Sequence, residues 1–153
     1  MQPVSKLKTI QTIHLAFCSA ILAFAAVATL TVKDKIYFEA SFSQDNPFYP
    51  LFPILGIIAV VAGVFLFNKN ASAIAEMETL DKKLTKYQEA FLIRTALLEG
   101  AALMNTVAFL ISANLVFLLV VAIPFLTLVR FRPTKDSIIE TLNLQYPESE
   151  QLN

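Results

Sequence analysis

The sequence predicts an all-α fold: a four-helix transmembrane bundle with a cytoplasmic amphipathic helical extension. Apolar residues make up 56% of the chain and charged residues 16%, against about 45–50% and about 25% in soluble domains. The apolar residues come in long blocks, and the mean hydropathy is +0.63. Blocks of ~20 apolar residues can cross a bilayer as helices. The 153 residues therefore predict a single integral membrane domain with the lipid bilayer as its first partner.

The composition argues against several classes of function. The formal net charge is zero, so nothing indicates a nucleic-acid partner. One histidine and one cysteine cannot supply a zinc ligand set or a bis-histidine haem site, and no phosphate-binding glycine loop is present. His14 and Cys18 lie one turn apart without a third catalytic partner. We therefore expect no metal, no cofactor and no enzymatic activity.

The first predicted span covers residues 10–32. Its only ionisable group besides the Cys18 thiol is His14. A cleaved signal peptide is the alternative interpretation, because Lys6 and Lys8 precede the apolar run and residues 26–28 resemble a cleavage site. The run is long for a signal peptide and further apolar blocks follow it, which favours a membrane span.

The second predicted span covers residues 48–67. Pro50 and Pro53 fall in its first turn, where a missing N–H costs little. Ala59 and Gly63 form a small-xxx-small pair that allows a second helix to approach closely. They are therefore helix-packing candidates, although alanine and glycine are also common in membrane helices without such a role.

After a turn predicted at residues 68–70, one long helix is expected from about Ala71 to about Ile111. Its first part, 71–89, would lie in the cytoplasm. Apolar residues recur there at heptad spacing and define a seam: Ala73, Met77, Leu80, Leu84, Tyr87 and Phe91. The 73–91 seam predicts contact with a membrane-complex partner or with a second copy in a homo-oligomer. Packing on a neighbouring element or on the membrane surface is the alternative.

The third and fourth predicted spans cover residues 91–111 and 115–129, with a tight connection at 112–114. Pro124 should bend the fourth span. The cytoplasmic tail, 130–153, should contain a short helix capped by Thr134 or Ser137. From residue 145 onward the tail is polar and acidic, and we expect it to be frayed.

The distribution of basic residues predicts the orientation. With four spans, both termini lie on one side together with ten of the twelve Lys and Arg residues, and only Lys33 and Lys35 lie opposite. The positive-inside rule then places both termini in the cytoplasm. The predicted location is the cell's inner membrane.

Glu99 is the costliest residue of the third span. It lies ~18 Å from the outer end and ~10 Å above the cytoplasmic boundary, where an unpaired carboxylate costs several kcal/mol. Arg94 is expected to snorkel to the interface as an anchor. Ala96 and Gly100 form a second small-xxx-small pair, and Asn105 can hydrogen-bond between helices.

His14 is predicted at a similar depth, so it is the most plausible partner of Glu99. A cytoplasmic-leaflet cluster of Gln11, His14, Arg94 and Glu99 would be an ion or proton site, because a His–Glu pair can titrate near neutral pH. The alternative is a polar clamp that joins the first and third helices and fixes their register. A partner-protein contact is a third interpretation.

The segment L-L-E-G-A-A-L at residues 97–103 resembles the glutamate-bearing helix of rotary ATPase proteolipid subunits. That resemblance covers seven residues and implies reversible protonation of Glu99. The chain departs from the family: its first span lacks the glycine repeat, its fourth span has no acid, and the 71–89 extension has no counterpart. Taken whole, with R-x4-E-G beginning at Arg94 and R-P-T-K beginning at Arg132, the chain resembles small uncharacterised four-helix bacterial membrane proteins, a likeness that implies no activity.

Two functions are therefore predicted. The first is a non-enzymatic multi-pass inner-membrane protein that serves as a scaffold or as an accessory subunit of a membrane complex. The second is a small transporter or proton-coupled subunit that uses Glu99, with Arg94 and His14 modulating it. A lipid-modifying enzyme has no supporting motif.

Overall fold

The computed structural model describes residues 3–41 and 49–152, and within these ranges the regular secondary structure is helical. The five α-helices are α1 Pro3–Val32, α2 Leu51–Ala75, α3 Leu80–Ser112, α4 Leu115–Arg130 and α5 Lys135–Thr141. Short 3₁₀ turns cover Lys33–Lys35 and Ser149–Leu152. The start of the predicted second span, at residue 48, lies outside the described residues.

Helix α3 is the centre of the fold, because α1, α2 and α4 all pack against it. Its buried face supplies residues to each of the three apolar clusters along its length. Phe91, Leu98 and Phe109, one in each cluster, are fully buried. A helix with three helical neighbours needs apolar residues on most of its circumference, which accounts for the apolar run at residues 101–111 of α3.

Three helices, α1, α2 and α3, are long and apolar enough to cross a membrane, and α4 with α5 forms a fourth candidate bent by 84°. Pro124 lies inside α4, and Pro133 follows its end. A proline cannot donate the next helical hydrogen bond, and the residue before it is disfavoured in the α conformation. Helix α4 therefore ends at Arg130, and a new helix starts after Pro133.

The connection between α2 and α3 is not where the sequence analysis predicted it. Residues 68–70 are exposed but helical, and the break falls at residues 76–79. The prediction of one helix from 71 to 111 is therefore wrong. Asparagine and lysine are tolerated on an exposed helix face, so a polar triplet is a weak turn signal. The extended backbone of Thr79 and the acidic Asp81 in the first turn mark the true start of α3.

The 73–91 seam is not an exposed surface. Leu80, Leu84, Tyr87 and Phe91 are buried, and they pack with apolar residues of α1, α2, α5 and the C-terminal segment. Ala73, on the other side of the break, is exposed. The heptad spacing of 80–91 thus reflects packing inside this chain, which was the alternative interpretation, and those residues offer no free face to a partner.

The C-terminal segment is folded onto the same cluster, so the expectation of a frayed tail is wrong. Leu144 and Leu152 are buried, and the Lys83 Nζ atom donates to Glu148 Oε2 at 2.8 Å. Lys6 of α1 also donates from its Nζ atom to Asp81 Oδ1 of α3, at 2.6 Å. Two apolar anchors with one ion pair between them hold a segment whose other residues are mostly polar.

At the C-terminal end of α3, Asn114 joins three segments of the chain. Ala113 ends α3 with a φ of 58°, and the Asn114 side chain accepts from Val116 N at 3.1 Å to cap α4. The same amide donates to the Glu39 carbonyl oxygen at 2.9 Å. The tight connection predicted at 112–114 is confirmed, and it also holds the segment that follows α1.

Candidate functional site

Arg94 lies inside the protein and not at its surface, which contradicts its predicted role as an interfacial anchor. The residue is 3% exposed. Its guanidinium carbon lies 3.7 Å from the centroid of the Phe67 ring and 4.8 Å from that of Phe131. The Nη2 atom donates to the Phe131 carbonyl oxygen at 3.4 Å. Aromatic faces attract a cation through their quadrupole, so Phe67 and Phe131 partly replace the water that Arg94 has lost.

The Arg94 charge has no carboxylate partner among the described residues. No ion pair in the described part of the chain includes it, and its Nε atom is buried without an acceptor. A buried cation without a counter-charge is costly, and aromatic contacts with one long hydrogen bond offset only part of that cost. Among the described residues, Arg94 is therefore the charged residue with a buried side-chain nitrogen that has no hydrogen-bond partner.

His14 reaches the end of α4 from α1. Its Nε2 atom donates to the Leu128 carbonyl oxygen at 2.9 Å, and its ring lies 6.2 Å from the Phe91 ring. Leu128 belongs to the last turn of α4, whose carbonyl groups have no partner further along the helix. His14 thus satisfies a carbonyl that the end of α4 leaves open.

Gln11 repeats this arrangement one turn earlier on α1, because its Nε2 atom donates to the Pro133 carbonyl oxygen at 3.1 Å. Donors from α1 and α3 therefore converge on carbonyl groups at positions 128, 131 and 133. We call these three contacts the carbonyl clamp; its donors are Gln11, His14 and Arg94. The clamp links α1 and α3 to the last turn of α4 and to the segment that follows it.

Glu99 is not part of the clamp. It is partly buried on α3, and its side chain makes no hydrogen bond or ion pair with the described residues. The sequence analysis predicted Gln11, His14, Arg94 and Glu99 in one cluster; the first three meet at the end of α4, and Glu99 is paired with neither His14 nor Arg94. No group of three or more His, Cys, Asp or Glu residues in the described ranges could hold a metal ion.

The two predicted small-residue pairs have different surroundings. Gly63 is buried, and a Cβ added there would lie 3.4 Å from the Arg94 carbonyl oxygen and from Leu97 Cβ. Its companion Ala59 is partly buried. Ala96 and Gly100 are exposed, and a Cβ at Gly100 would meet nothing within 4 Å in the described chain. The first pair lies at the α2–α3 contact, whereas the second packs against no described element.

Asn105 makes the interhelical hydrogen bond that its position on α3 predicts. It is fully buried, and its Nδ2 atom donates to the carbonyl oxygens of Phe52 at 3.2 Å and Ala101 at 2.9 Å. A Cβ at Gly56 would lie 2.7 Å from that nitrogen. Sequence reasoning missed Gly56, although it lies one heptad before Gly63 and shares its helix face.

Sequence reasoning also missed the rings that surround Arg94. Phe67 and Phe131 are far apart in the chain, and Phe131 stands between two exposed arginines, Arg130 and Arg132. An aromatic residue flanked by basic residues at the end of a span is usually interpreted as an interfacial anchor. The only available signal was the presence of an arginine inside an apolar run together with an unusual number of phenylalanines, 13 in the chain.

Comparisons with family models, with curated proteins and with solved structures gave no match to this chain. The functional conclusion below therefore depends on the residues themselves.

Proposed function

We propose that this chain is a non-enzymatic multi-pass protein of the inner membrane, with both termini in the cytoplasm, that serves as a scaffold or accessory subunit of a membrane complex. The observation that carries this proposal is the carbonyl clamp. His14, Gln11 and Arg94 each donate to a backbone carbonyl oxygen. Polar side chains engaged in this way fix the positions of the helices that carry them, which is a structural role.

The membrane location is supported by the outer surfaces of the helices. Large apolar side chains are exposed along α1, α2 and α4, among them Leu30, Val61 and Leu126. Contiguous apolar surface of this kind is rare on soluble monomers and is expected where lipid replaces water. The end that carries most basic residues holds the N-terminus of α1 and the C-terminal segment, which supports a cytoplasmic location for both.

A partner contact is supported by the exposed pair Ala96 and Gly100, since small residues on a membrane helix allow another helix to approach. A photo-crosslinking amino acid placed at Ala96 in native membranes tests this proposal. We expect an adduct above the monomer mass, whether the partner is a second copy or another protein. The matched control is Ala23, which is exposed on α1. Recovery of monomer alone from positions 93, 96 and 100 would exclude a partner on this face.

The second candidate, a transporter or proton-coupled subunit, is favoured by the unpartnered carboxyl group of Glu99. A membrane-embedded carboxyl without a partner is more easily kept protonated, because burial penalises its charged form. A hydrophobic carbodiimide should then modify Glu99, and Glu99→Gln should abolish the modification while Glu89→Gln, an exposed position, leaves it intact. Absence of labelling, or unchanged proton flux in proteoliposomes of the Glu99→Gln variant, would remove this candidate.

A further inference from the structure

A cavity of about 170 Å³ opens beside Arg94, between α2, α3, the end of α4 and α5. Its polar lining consists of Asn68, Tyr87, Arg94, Arg130, Ser137 and Thr141. The lining thus includes two arginines, one residue with a side-chain amide and three residues with hydroxyl groups. No aspartate or glutamate lines it, so its charged groups are all positive.

Arg94 provides the strongest evidence that this space has a ligand. It is 3% exposed and lines the cavity, yet the only hydrogen bond of its side chain to the described residues is the 3.4 Å contact with the Phe131 carbonyl oxygen. A buried guanidinium normally has its N–H groups satisfied and its charge compensated. An anion in the cavity would supply both the missing hydrogen-bond acceptors and the counter-charge. No residue in the described part of the chain supplies the two together.

Arg130 supplies a second cation at the mouth of the cavity. Its side chain is exposed and takes part in none of the ion pairs among the described residues. The acidic residues of α5, Asp136 and Glu140, are exposed and do not line the cavity. Arg130 is therefore free to close over a ligand that Arg94 holds from below.

Burial raises the pKa of the Tyr87 phenol above its ordinary value, so this hydroxyl group keeps its proton at neutral pH. Together with Thr141, it can donate to an oxygen-rich anion, whereas the Ser137 hydroxyl already donates to the Thr134 carbonyl oxygen at 3.1 Å. Planar guanidinium groups and hydroxyl donors around one centre match the several acceptor oxygens of a phosphate. The volume lies below the ~300–1,000 Å³ of sites for drug-sized ligands, which fits a phosphate group and not a whole nucleotide.

We propose that this cavity binds a phosphate group, held by Arg94 and Arg130. The group could belong to the headgroup of an anionic phospholipid or to a small soluble phosphate. The lipid source depends on the membrane location proposed above, because it needs the end of α4 at headgroup level, where basic pockets between helices bind such headgroups. The phosphate chemistry itself does not depend on that location.

The test uses the full chain purified in detergent. In the lipid arm, native mass spectrometry compares binding of phosphatidylglycerol with binding of diacylglycerol of the same acyl chains, which lacks the phosphate. In the soluble arm, circular dichroism measures the thermal midpoint with glycerol phosphate, inorganic phosphate or chloride at equal ionic strength, since a ligand of the folded state raises that midpoint. The variant is Arg130→Gln, and Arg132→Gln is its control.

Phosphatidylglycerol should bind about tenfold more tightly than diacylglycerol, and Arg130→Gln should remove most of that difference. Arg132 is exposed and does not line the cavity, so Arg132→Gln should leave affinity within about twofold. Arg94→Lys keeps the charge but loses the planar fork, and we expect weaker phosphate binding in a folded chain. Arg130-dependent binding of lipid alone identifies a headgroup site; Arg130-dependent binding of the soluble phosphates identifies a soluble ligand.

The proposal is overturned if neither arm shows binding that depends on Arg130, or if Arg132→Gln weakens binding equally, which would indicate non-specific attraction. Carbonate extraction of cell membranes tests the proposed location separately. A chain released by carbonate refutes the membrane location but leaves the soluble arm valid. A chain that stays in the membrane but binds no phosphate refutes only the cavity.

Discussion

The Nε2 atom of His14 lies 2.9 Å from the carbonyl oxygen of Leu128 and joins the first helix to the last turn of α4. His14→Leu should destabilise the fold by about 1–3 kcal/mol, because it leaves a buried carbonyl without a donor. His14→Gln should retain part of the stability, since its amide can donate. Unfolding in detergent with increasing dodecyl sulfate measures both. Thr12→Val, at an exposed position of the same helix, is the control, and an equal effect of Thr12→Val and His14→Leu would contradict the carbonyl clamp.

Gly56 and Gly100 should respond in opposite directions to the same substitution. Gly56→Ala places a Cβ 2.7 Å from Asn105 Nδ2, so it should displace that amide and cost about 1–3 kcal/mol. Gly100→Ala meets nothing within 4 Å, so it should stabilise α3 by about 0.5–1 kcal/mol through helix propensity. Thermal unfolding of the two variants in one detergent measures the difference. A Gly56→Ala variant as stable as the parent would show that α2 and α3 do not approach as described.

The Lys6–Asp81 ion pair should make stability depend on acid pH. Hydrogen bonding and charge from Lys6 hold the pKa of Asp81 below its ordinary value. A carboxyl whose pKa is lowered by folding stabilises the fold above its unfolded pKa of about 3.9, and this contribution is lost as the pH falls through the lower folded value. Thermal midpoints from pH 7 to pH 2 should therefore fall more for the parent than for Asp81→Asn.

Lys6→Met is the control for this profile, because it removes the cause of the shift. The double variant Lys6→Met/Asp81→Asn should then show the same acid profile as Lys6→Met alone. Parallel profiles for the parent and Asp81→Asn from pH 7 to pH 2 would mean that the ion pair does not contribute in solution.

Leu152 should hold the C-terminal segment against the core. It is 3% exposed and packs in the cluster of Leu84 and Leu142. Leu152→Ala should therefore lower the free energy of local unfolding by about 2–5 kcal/mol. Hydrogen exchange at Ser149–Leu152 should accelerate, and limited proteolysis should remove the segment sooner. Gln151→Ala, at an exposed neighbour, should change neither. A segment that already exchanges freely in the parent chain would support the frayed tail that its polar sequence suggests.

The positions of the helices followed from the sequence, because continuous apolar blocks and the turn at 112–114 are local signals. The break after α2 did not, since the polar residues 68–70 are equally compatible with an exposed helix face. The docked tail was also missed. Two leucines among polar residues give no periodic pattern, and their burial depends on a cluster built from four other elements.

The candidate site was predictable only in part. His14, Arg94 and Glu99 stand out in the sequence because ionisable groups are rare in apolar blocks, and the structure brings His14 and Arg94 to the same end of α4. Their partners were not predictable. Arg94 contacts rings at positions 67 and 131, and such distant contacts leave no mark on the sequence near residue 94. Glu99 had the stronger sequence signal and has no partner among the described residues.

The acceptors of the carbonyl clamp are main-chain atoms, which every amino acid carries. Substitutions at positions 128, 131 or 133 therefore cannot remove them as long as the backbone keeps its course. In related chains, a change at Gln11 or His14 would have no compensating change at a second position. Methods that infer contacts from correlated substitutions would not detect these hydrogen bonds. Selection on the carbonyl clamp would instead act on the donors one residue at a time.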